Sequence, residues 1–194
     1  GRPALPAVVA VTGGGEIYSA QLVQKVHPHH LMAFAGGEEG PLGWVEDGGV
    51  RLRLGSSPAL LQDAALLQAR ERGRGLAALT APDGEWPWVE IITSHGGARG
   101  AQIDALVAAG VKGIVVAGTG DGAVHQAIEA ASLRAMAKGV SVWRTTRCAT
   151  GMVGGAGQNP AVLEVGGSQL PAVALSPQKA RLSLQLALMG VLVF

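Results

Sequence analysis

The second half of the chain alternates short apolar runs with longer amphipathic segments, and this alternation limits the fold more than any other feature of the sequence. Four apolar runs have the length of buried strands: 88–93, 113–117, 140–144 and 171–175. Two of the segments between them have apolar residues at helical spacing, and these helices are predicted to stop at Gly110 and Gly139. Strands separated by such helices form parallel sheets through βαβ crossovers. We therefore predict an α/β fold, with a small parallel-sheet domain of Rossmann or flavodoxin type at 88–194.

The first half of the chain has a different pattern. Residues 1–54 contain strand-like runs at 7–12, 43–45 and 49–54, and glycine-rich turns separate them. Residues 55–87 are predicted to be a linker that contains a short surface helix. The sequence thus indicates three parts, with boundaries after residues 54 and 87.

Charge and cysteine content exclude several classes of function. The 15 Lys and Arg residues balance 14 Asp and Glu residues, so no basic surface for nucleic acid is predicted. The one cysteine, Cys148, excludes an intramolecular disulfide and a cysteine-based zinc site, and a small buried thiol is predicted there. The apolar end at 182–194 is shorter than the roughly 20 residues of a membrane-spanning helix. His27, His29 and His30 surround Pro28, which favours a surface loop over a metal site.

A glycine-rich motif, G-T-G-D-G-A at 118–123, follows the second predicted strand of the parallel domain and fits the dinucleotide fingerprint G-x-G-x-x-A. Three features oppose this interpretation. The motif follows the second strand of the domain and not the first. Asp121 would repel a pyrophosphate, and the strand at 140–144 does not end in the acidic residue that holds a ribose hydroxyl. Arg144 or Arg147 could meet a 2′-phosphate, which keeps NADP binding as an alternative. A structural turn, or a loop for a smaller ligand, is the favoured interpretation.

Four blocks of the sequence resemble the bacterial L-asparaginase/glutaminase family, in its type II-like form. The blocks are E-I-Y-S-A-x-x-V-x-K at 16–25, A-F at 33–34 with G-P-L-G at 40–43, A-G-V-x-G-I-V-V-A-G-T-G-D-G at 109–122, and L-S-P-Q-K-A-R-L-x-L-x-L-A-L at 175–188. Their order and spacing agree with the family over nearly the whole chain. The resemblance implies that residues 1–54 are the tail of an N-terminal α/β domain, that 55–87 are the interdomain linker and that 88–194 are the C-terminal domain.

The resemblance also implies a reaction. In this family a Thr hydroxyl attacks the side-chain amide of L-asparagine, ammonia leaves, and water hydrolyses the acyl-enzyme. The Thr belongs to a Thr–Asp–Lys cluster, whose lysine corresponds to Lys25. The family motifs T-G-G-T and T-D-T, which carry both active-site threonines and the Asp, do not occur in the chain. The T-G-G-G at 12–15 lies too close to Lys25 to be the first of them. The expected parent is an L-asparagine amidohydrolase, this chain alone is expected to be inactive, and no metal or cofactor is expected.

Substrate-binding positions are carried over from the same resemblance. Asp121 stands where the family often has Asn, and Ala123 where the family often has an Asn or Ser that reaches a neighbouring subunit's site. The acidic residue of the loop after Arg147 has no clear counterpart, and Gln158 or Glu164 lies near its place. The candidate substrate-binding residues are therefore Asp121, Ala123 and Gln158.

Partners and location follow from the resemblance as expectations. The expected small-molecule substrate is L-asparagine, and L-glutamine is left open. Self-association is expected to form a dimer, in which the active sites are completed, and usually a tetramer. Nothing resembling a signal peptide follows Gly1, and for a fragment this says nothing about secretion. A periplasmic or secreted parent is favoured over a cytoplasmic one. Two alternatives remain open: a non-catalytic module that binds an amino acid or NADP, and a degenerate paralogue that serves as a structural subunit.

Overall fold

The computed structural model describes four stretches of the 194-residue chain: 9–53, 86–151, 153–154 and 168–190. The chain divides into two compact units, with described residues 9–53 and 149–151 in the first unit and the other described residues in the second. Of the predicted linker, only residues 86 and 87 are among the described residues. The domain boundaries after residues 54 and 87 therefore stay predictions, and the predicted surface helix of the linker lies outside the described residues.

Within 9–53 the first unit consists of short antiparallel strands: β1 (Val9–Val11), β2 (Glu16–Ser19), β3 (Gln24–Lys25), β4 (Phe34–Ala35), β5 (Gly43–Glu46) and β6 (Gly49–Leu52). One sheet has the order β1-β2-β5-β6, and β3 pairs with β4 in a separate hairpin. The sequence predicted β1, β5 and β6. The other three strands were not predicted, because two of them have only two residues and β2 is buried at all four positions.

The β5–β6 hairpin shows how local sequence sets the register of this sheet. Its two-residue loop, Asp47 and Gly48, has φ angles of 50° and 76°. A loop with two positive φ angles matches the twist of antiparallel strands, and Asp followed by Gly adopts it easily. On the strands that follow, Arg51 lies opposite Trp44, with its guanidinium carbon 4.4 Å from the ring centroid. Arg51 also donates two hydrogen bonds to Glu46, at 2.8 and 2.9 Å.

The second unit alternates strands and helices: β7 (Val89–Thr93), α1 (Ala101–Ala108), β8 (Gly113–Gly118), α2 (Gln126–Ala137), β9 (Ser141–Thr146) and α3 (Pro177–Leu188). The three strands form a parallel sheet in the order β7-β8-β9. The central strand β8 is buried at every position, as its continuous apolar sequence predicts for a strand covered on both faces. The predicted parallel α/β domain is confirmed.

Helices cover both faces of this sheet. Helices α1 and α2 pack on one face, around Ile103, Ile128 and Ile114, and α3 packs on the other through Ala180 and Leu184. Strand β8 lets α3 approach closely because its first residue is Gly113. A Cβ atom at that position would lie 2.8 Å from Cδ2 of Leu184.

Both predicted helix stops are confirmed, and their geometry explains them. After α1, the backbone N of Val111 donates to Leu106 O and that of Gly110 donates to Val107 O, both at 3.1 Å. This is the Schellman arrangement, which needs a left-handed residue at the turn. Gly110 supplies it with a φ of 94°, and Gly139 does the same after α2 with a φ of 85°.

A full fourth strand at 171–175 was predicted, and this prediction is wrong. Among these residues only Ala172 forms a bridge, parallel to β9 at Arg144. Two backbone hydrogen bonds hold the segment there, from Arg144 N to Pro171 O at 2.7 Å and from Val173 N to Arg144 O at 2.9 Å. Pro171 has no N–H to extend the ladder, and Ser176 already caps α3, so the pairing stays short.

Candidate functional site

Lys25, the candidate catalytic lysine, ends strand β3 and lies opposite Phe34 of β4 in the hairpin register. The pairing continues one residue further, because Val26 N donates to Ala33 O at 2.7 Å. The Lys25 side chain is exposed. Its ammonium group therefore has three N–H donors open to an incoming polar group.

The three neighbouring histidines organise the loop of this hairpin. Nδ1 of His27 accepts hydrogen bonds from the backbone N of His29 at 3.1 Å and of His30 at 2.8 Å. All three residues are exposed, so the predicted surface loop is confirmed. In the part of the chain that the structure describes, no group of three or more His, Cys, Asp and Glu residues is placed to hold a metal ion.

Tyr18 of β2 contacts the strand that carries the register partner of Lys25. Its hydroxyl donates to Phe34 O at 3.4 Å, and its ring lies so close to Gly36 that a Cβ atom there would be 2.6 Å from Cδ1. Burial, and after it the charge of Glu16, raises the pKa of Tyr18. The tyrosine is thus a buried link between β2 and the Lys25 hairpin.

Thr12 has a structural role in the turn between β1 and β2. Its Oγ1 donates to Oε2 of Glu16 at 2.5 Å, and its backbone N donates to Glu16 O at 3.0 Å. Gly15 N donates to Thr12 O at 3.0 Å and completes the turn. This geometry confirms a glycine-rich turn at 12–15.

In the second unit, the loops that follow β7, β8 and β9 leave the same edge of the parallel sheet, where ligands of such sheets bind. Asp121 and Ala123 are both exposed residues of the loop after β8. Oδ1 of Asp121 accepts a hydrogen bond from Gly154 N at 2.5 Å. Ala123 pairs through its backbone with Thr119, at 2.8 and 3.0 Å. The third candidate, Gln158, lies outside the described residues.

Arg144 of β9 lies beneath this loop with none of its surface exposed. Its Nη1 donates to Asp121 O at 3.1 Å and to Gly122 O at 3.3 Å, and its Nε donates to Leu170 O at 3.4 Å. Burial lowers the pKa of Arg144, while the charges of Asp121 and Glu129 act in the opposite direction. A buried cation is costly unless it is well bonded, and here the loop carbonyls satisfy it.

Two features of the structure weaken the NADP interpretation. The proposed contact of Arg144 with a 2′-phosphate is wrong, because this side chain is buried and bonded to carbonyls. The loop also does not open directly into a helix, since α2 begins only after His125, whose Nδ1 accepts from Ala127 N. Arg147 is exposed, and its Nε donates to Gly118 O at 3.4 Å.

Cys148 follows β9, and the prediction of a buried thiol there is wrong, because the residue is exposed. Its backbone N donates to Oγ1 of Thr146 at 3.0 Å, and its Sγ lies 3.8 Å from Gly120 O. The strand ends at Thr146, two residues earlier, so the thiol belongs to the loop and not to the strand. Over the described stretches of the chain, no helix is long and apolar enough to cross a membrane.

Comparison with known proteins identifies the family. Residues 88–190, just over half of the chain, match the family model of the glutaminase/asparaginase C-terminal domain. The chain belongs to the glutaminase/asparaginase family. The match covers the whole described parallel sheet with α1, α2 and α3, so the resemblance seen in the sequence is confirmed.

Individual members of the family agree with this assignment. An L-asparaginase 2 from Bacillus subtilis (strain 168) is 41% identical over 104 residues, which are 54% of this chain and 26% of that protein. An L-asparaginase 2 from Escherichia coli (strain K12) is 28% identical over 180 residues, 93% of this chain and 47% of that protein. The crystal structure of a probable cytoplasmic L-asparaginase from Campylobacter jejuni superposes with a TM-score of 0.65 at 30% identity, over 90% of this chain and 48% of that one. The chain thus spans about half, or less, of the length of these relatives.

The structure of this glutaminase/asparaginase domain also identifies residues that hold the loop at 118–123, a role that the sequence did not predict for them. Arg144 and Thr146 both hold the loop at 118–123, Thr146 through an Oγ1 hydrogen bond to Gly120 O at 2.6 Å. The signal that could have found Arg144 is a charged residue inside an otherwise apolar strand pattern. The roles of Lys25, Asp121 and Ala123 stay predictions.

Proposed function

We propose that the protein to which this chain belongs is an L-asparagine amidohydrolase, which converts L-asparagine and water to L-aspartate and ammonia. The observation that carries this proposal is the family match over 88–190, together with relatives named L-asparaginase. The parallel sheet of the second unit provides the kind of loop edge at which α/β proteins bind small ligands. L-Glutamine is the second substrate to test, because the family description includes glutaminases.

The proposed chemistry has two steps. A Thr hydroxyl of the T-G-G-T or T-D-T motif attacks the side-chain carbonyl carbon of asparagine, and the amide nitrogen takes up a proton and leaves as ammonia. Water then attacks the acyl ester, the Thr oxygen recovers its proton, and aspartate is released. A Thr hydroxyl is a weak nucleophile and needs a partner that accepts its proton.

We assign to Lys25 the role of holding the proton network beside that Thr. Its side chain is exposed at the end of β3, where its ammonium group is accessible to other polar groups. A lysine next to a carboxylate and hydroxyls favours negative charge developing on oxygen. The backbone pairing with Phe34 and the link from Tyr18 to the same residue hold the hairpin that carries it.

On the substrate side we propose the exposed edge of the loop at 118–123, with Asp121 and Ala123, and Gln158 as a further contact. Self-association as a dimer or tetramer would bring this edge to a neighbouring copy's site. The periplasmic or secreted location expected from the resemblance gains no support from the comparisons, since the solved relative is described as cytoplasmic. Cell fractionation would decide the compartment.

The test uses the protein expressed from its complete open reading frame. We expect release of ammonia from L-asparagine, measured by a coupled glutamate dehydrogenase assay, and a loss of about 10²–10⁴-fold in kcat for Lys25→Met. The matched control is Lys112→Met, which removes another exposed lysine and is expected to leave the rate unchanged. The isolated 194-residue chain is expected to release no ammonia.

Each result has a defined meaning. Absence of ammonia release from asparagine and glutamine by the complete protein would reject the proposal and favour a structural subunit. Equal rates for Lys25→Met and Lys112→Met would reject the role of Lys25 alone. Robust ammonia release by the 194-residue chain would show that its own residues supply the nucleophile, against the proposed division of the site.

A further inference from the structure

The loop at 118–123 is held by side chains that bond to its backbone carbonyls. Nη1 of Arg144 donates to the carbonyls of Asp121 and Gly122, and Oγ1 of Thr146 donates to that of Gly120 at 2.6 Å. The start of the loop is fixed by Arg147, whose backbone N donates to Gly118 O at 3.1 Å. Four carbonyl groups of one six-residue loop are therefore satisfied from β9 and from the one residue that follows it.

The same loop is joined to two further segments. Oδ1 of Asp121 accepts from Gly154 N at 2.5 Å, and Nε of Arg144 donates to Leu170 O. Arg144 thus bonds both to the loop and to Leu170, which lies two residues before the bridge at Ala172. Its guanidinium group therefore joins the loop at 118–123 to the segment that leads into α3.

The loop is shaped to fit this guanidinium group. Gly122 has a φ of 73°, and a Cβ atom at that position would lie 2.8 Å from Nη1 of Arg144 and 3.0 Å from Val153. The left-handed backbone and the close approach of the guanidinium group both favour glycine at this position. The loop sequence and the buried arginine therefore depend on each other.

We infer that Arg144 is a positioning residue: by fixing the backbone of the loop at 118–123, it holds Asp121 and Ala123 in the arrangement that receives the substrate. This inference rests on the proposed function, because it places those two residues at the substrate. A loop that is ordered before the substrate arrives loses little conformational entropy on binding, and this raises the affinity for the substrate. Arginine suits this position because its planar fork spreads donors over three nitrogens and reaches carbonyls on two segments, whereas the three donors of a lysine ammonium all leave from one nitrogen.

The experiment compares Arg144→Lys and Thr146→Val with the unmodified protein from the complete open reading frame. Hydrogen–deuterium exchange followed by mass spectrometry reports the loop directly, and steady-state kinetics with L-asparagine report the substrate. We expect loop amides at 118–123 to exchange about tenfold faster in Arg144→Lys. We expect KM to rise about tenfold and kcat to change by less than about threefold, because the ordered loop contributes to substrate binding and not to the chemical step.

Thr146→Val keeps the inference testable if Arg144→Lys does not fold. It removes a hydroxyl that donates to Gly120 O and accepts from Cys148 N, and it leaves Arg144 in place, so it is expected to shift exchange and KM in the same direction by a smaller factor. The matched control is Arg134→Lys, since Arg134 is exposed on α2 and pairs with Asp104. This control is expected to leave both readouts unchanged.

The two readouts separate the possible failures. Unchanged loop exchange in Thr146→Val and Arg144→Lys would overturn the inference whatever the activity. Faster exchange with an unchanged KM would also overturn it, because the loop would then not position the substrate. An unmodified protein without amidohydrolase activity would reject the proposed function and the substrate role of the loop together, and that result is visible before any variant is made.

Discussion

Gly118, the last residue of β8, is the position where a single added methyl group should do most damage to the loop. A Cβ atom there would lie 2.6 Å from the carbonyl carbon, 2.7 Å from the oxygen and 2.8 Å from the Cα of Gly122. These are backbone atoms, so they cannot rotate away as a side chain would. In Gly118→Ala the loop has to open, and the paired backbone hydrogen bonds between Thr119 and Ala123 are then lost.

The expected cost follows from these contacts. Overpacking of this kind costs about 1–3 kcal/mol. The two lost backbone hydrogen bonds cost about 0.5–1.5 kcal/mol each. Replacing Gly by Ala also lowers the entropy of the unfolded chain, which stabilises the protein by about 0.4–1 kcal/mol. The net loss for Gly118→Ala is therefore about 1–5.5 kcal/mol in the free energy of unfolding.

Gly96→Ala is the matched control, because Gly96 also lies in a loop after a parallel strand but has no atom within 4 Å of an added Cβ. This control is expected to gain about 0.4–1 kcal/mol. Urea unfolding followed by tryptophan fluorescence measures both variants, with Trp143 packed against the core beneath α3 as a reporter. Equal free energies of unfolding for the two variants would refute the argument, since they would show that the backbone of Gly122 can move at little cost.

Three further predictions concern buried side chains. Leu184→Ala should lower the free energy of unfolding, measured in urea, by about 2–5 kcal/mol. Leu182 lies on the same helix but is 48% exposed, so Leu182→Ala should lower it by less than about 1 kcal/mol. Equal losses would contradict the packing of α3. Ser132→Ala should be neutral or raise the urea midpoint, because this buried hydroxyl has no hydrogen-bond partner among the described residues, and a clear loss would reveal a partner. Tyr18 is the one tyrosine of the sequence, so an absorbance titration should give a pKa above the ordinary tyrosine value of about 10. Because the pKa of Tyr18 is raised in the folded state, the free energy of unfolding is unaffected by this group below the ordinary pKa of about 10, and it falls as the pH rises from there through the folded-state pKa. Tyr18→Phe should remove this fall, and a titration midpoint at the ordinary tyrosine value would disprove the effect of burial.

The parallel domain could be predicted from the sequence because its signals are local. The stripes of α1 and α2 and the glycines that end them lie within a few residues of one another, and the buried run of β8 is continuous. Gly110 and Gly139 adopt the left-handed backbone that their position after an apolar stripe indicates. For such elements the pattern and the physical cause are in the same short segment.

Other elements could not be predicted because their cause lies elsewhere in the chain. Strand β2 has the sequence Glu-Ile-Tyr-Ser, and its burial at all four positions hides the alternation that marks an antiparallel strand. Glu16 is buried there because Thr12 donates to its carboxylate. In the opposite direction, residues 171–175 have a strand-like pattern, but Pro171 and the cap of α3 at Ser176 limit their pairing to one bridge.

The contacts that hold the Lys25 hairpin and those that hold the loop at 118–123 could not be predicted from the sequence for the same physical reason. Tyr18 bonds to the carbonyl of Phe34, and Arg144 bonds to the carbonyls of Asp121 and Gly122. A backbone carbonyl is present in every residue, so the acceptor leaves no mark in the sequence, and only the donor's residue type is visible. Such a bond depends on the length and the backbone conformation of the segment that carries the acceptor. Substitutions that preserve these should therefore be tolerated in the loop, while the same loop with one residue inserted should lose its hold on Arg144.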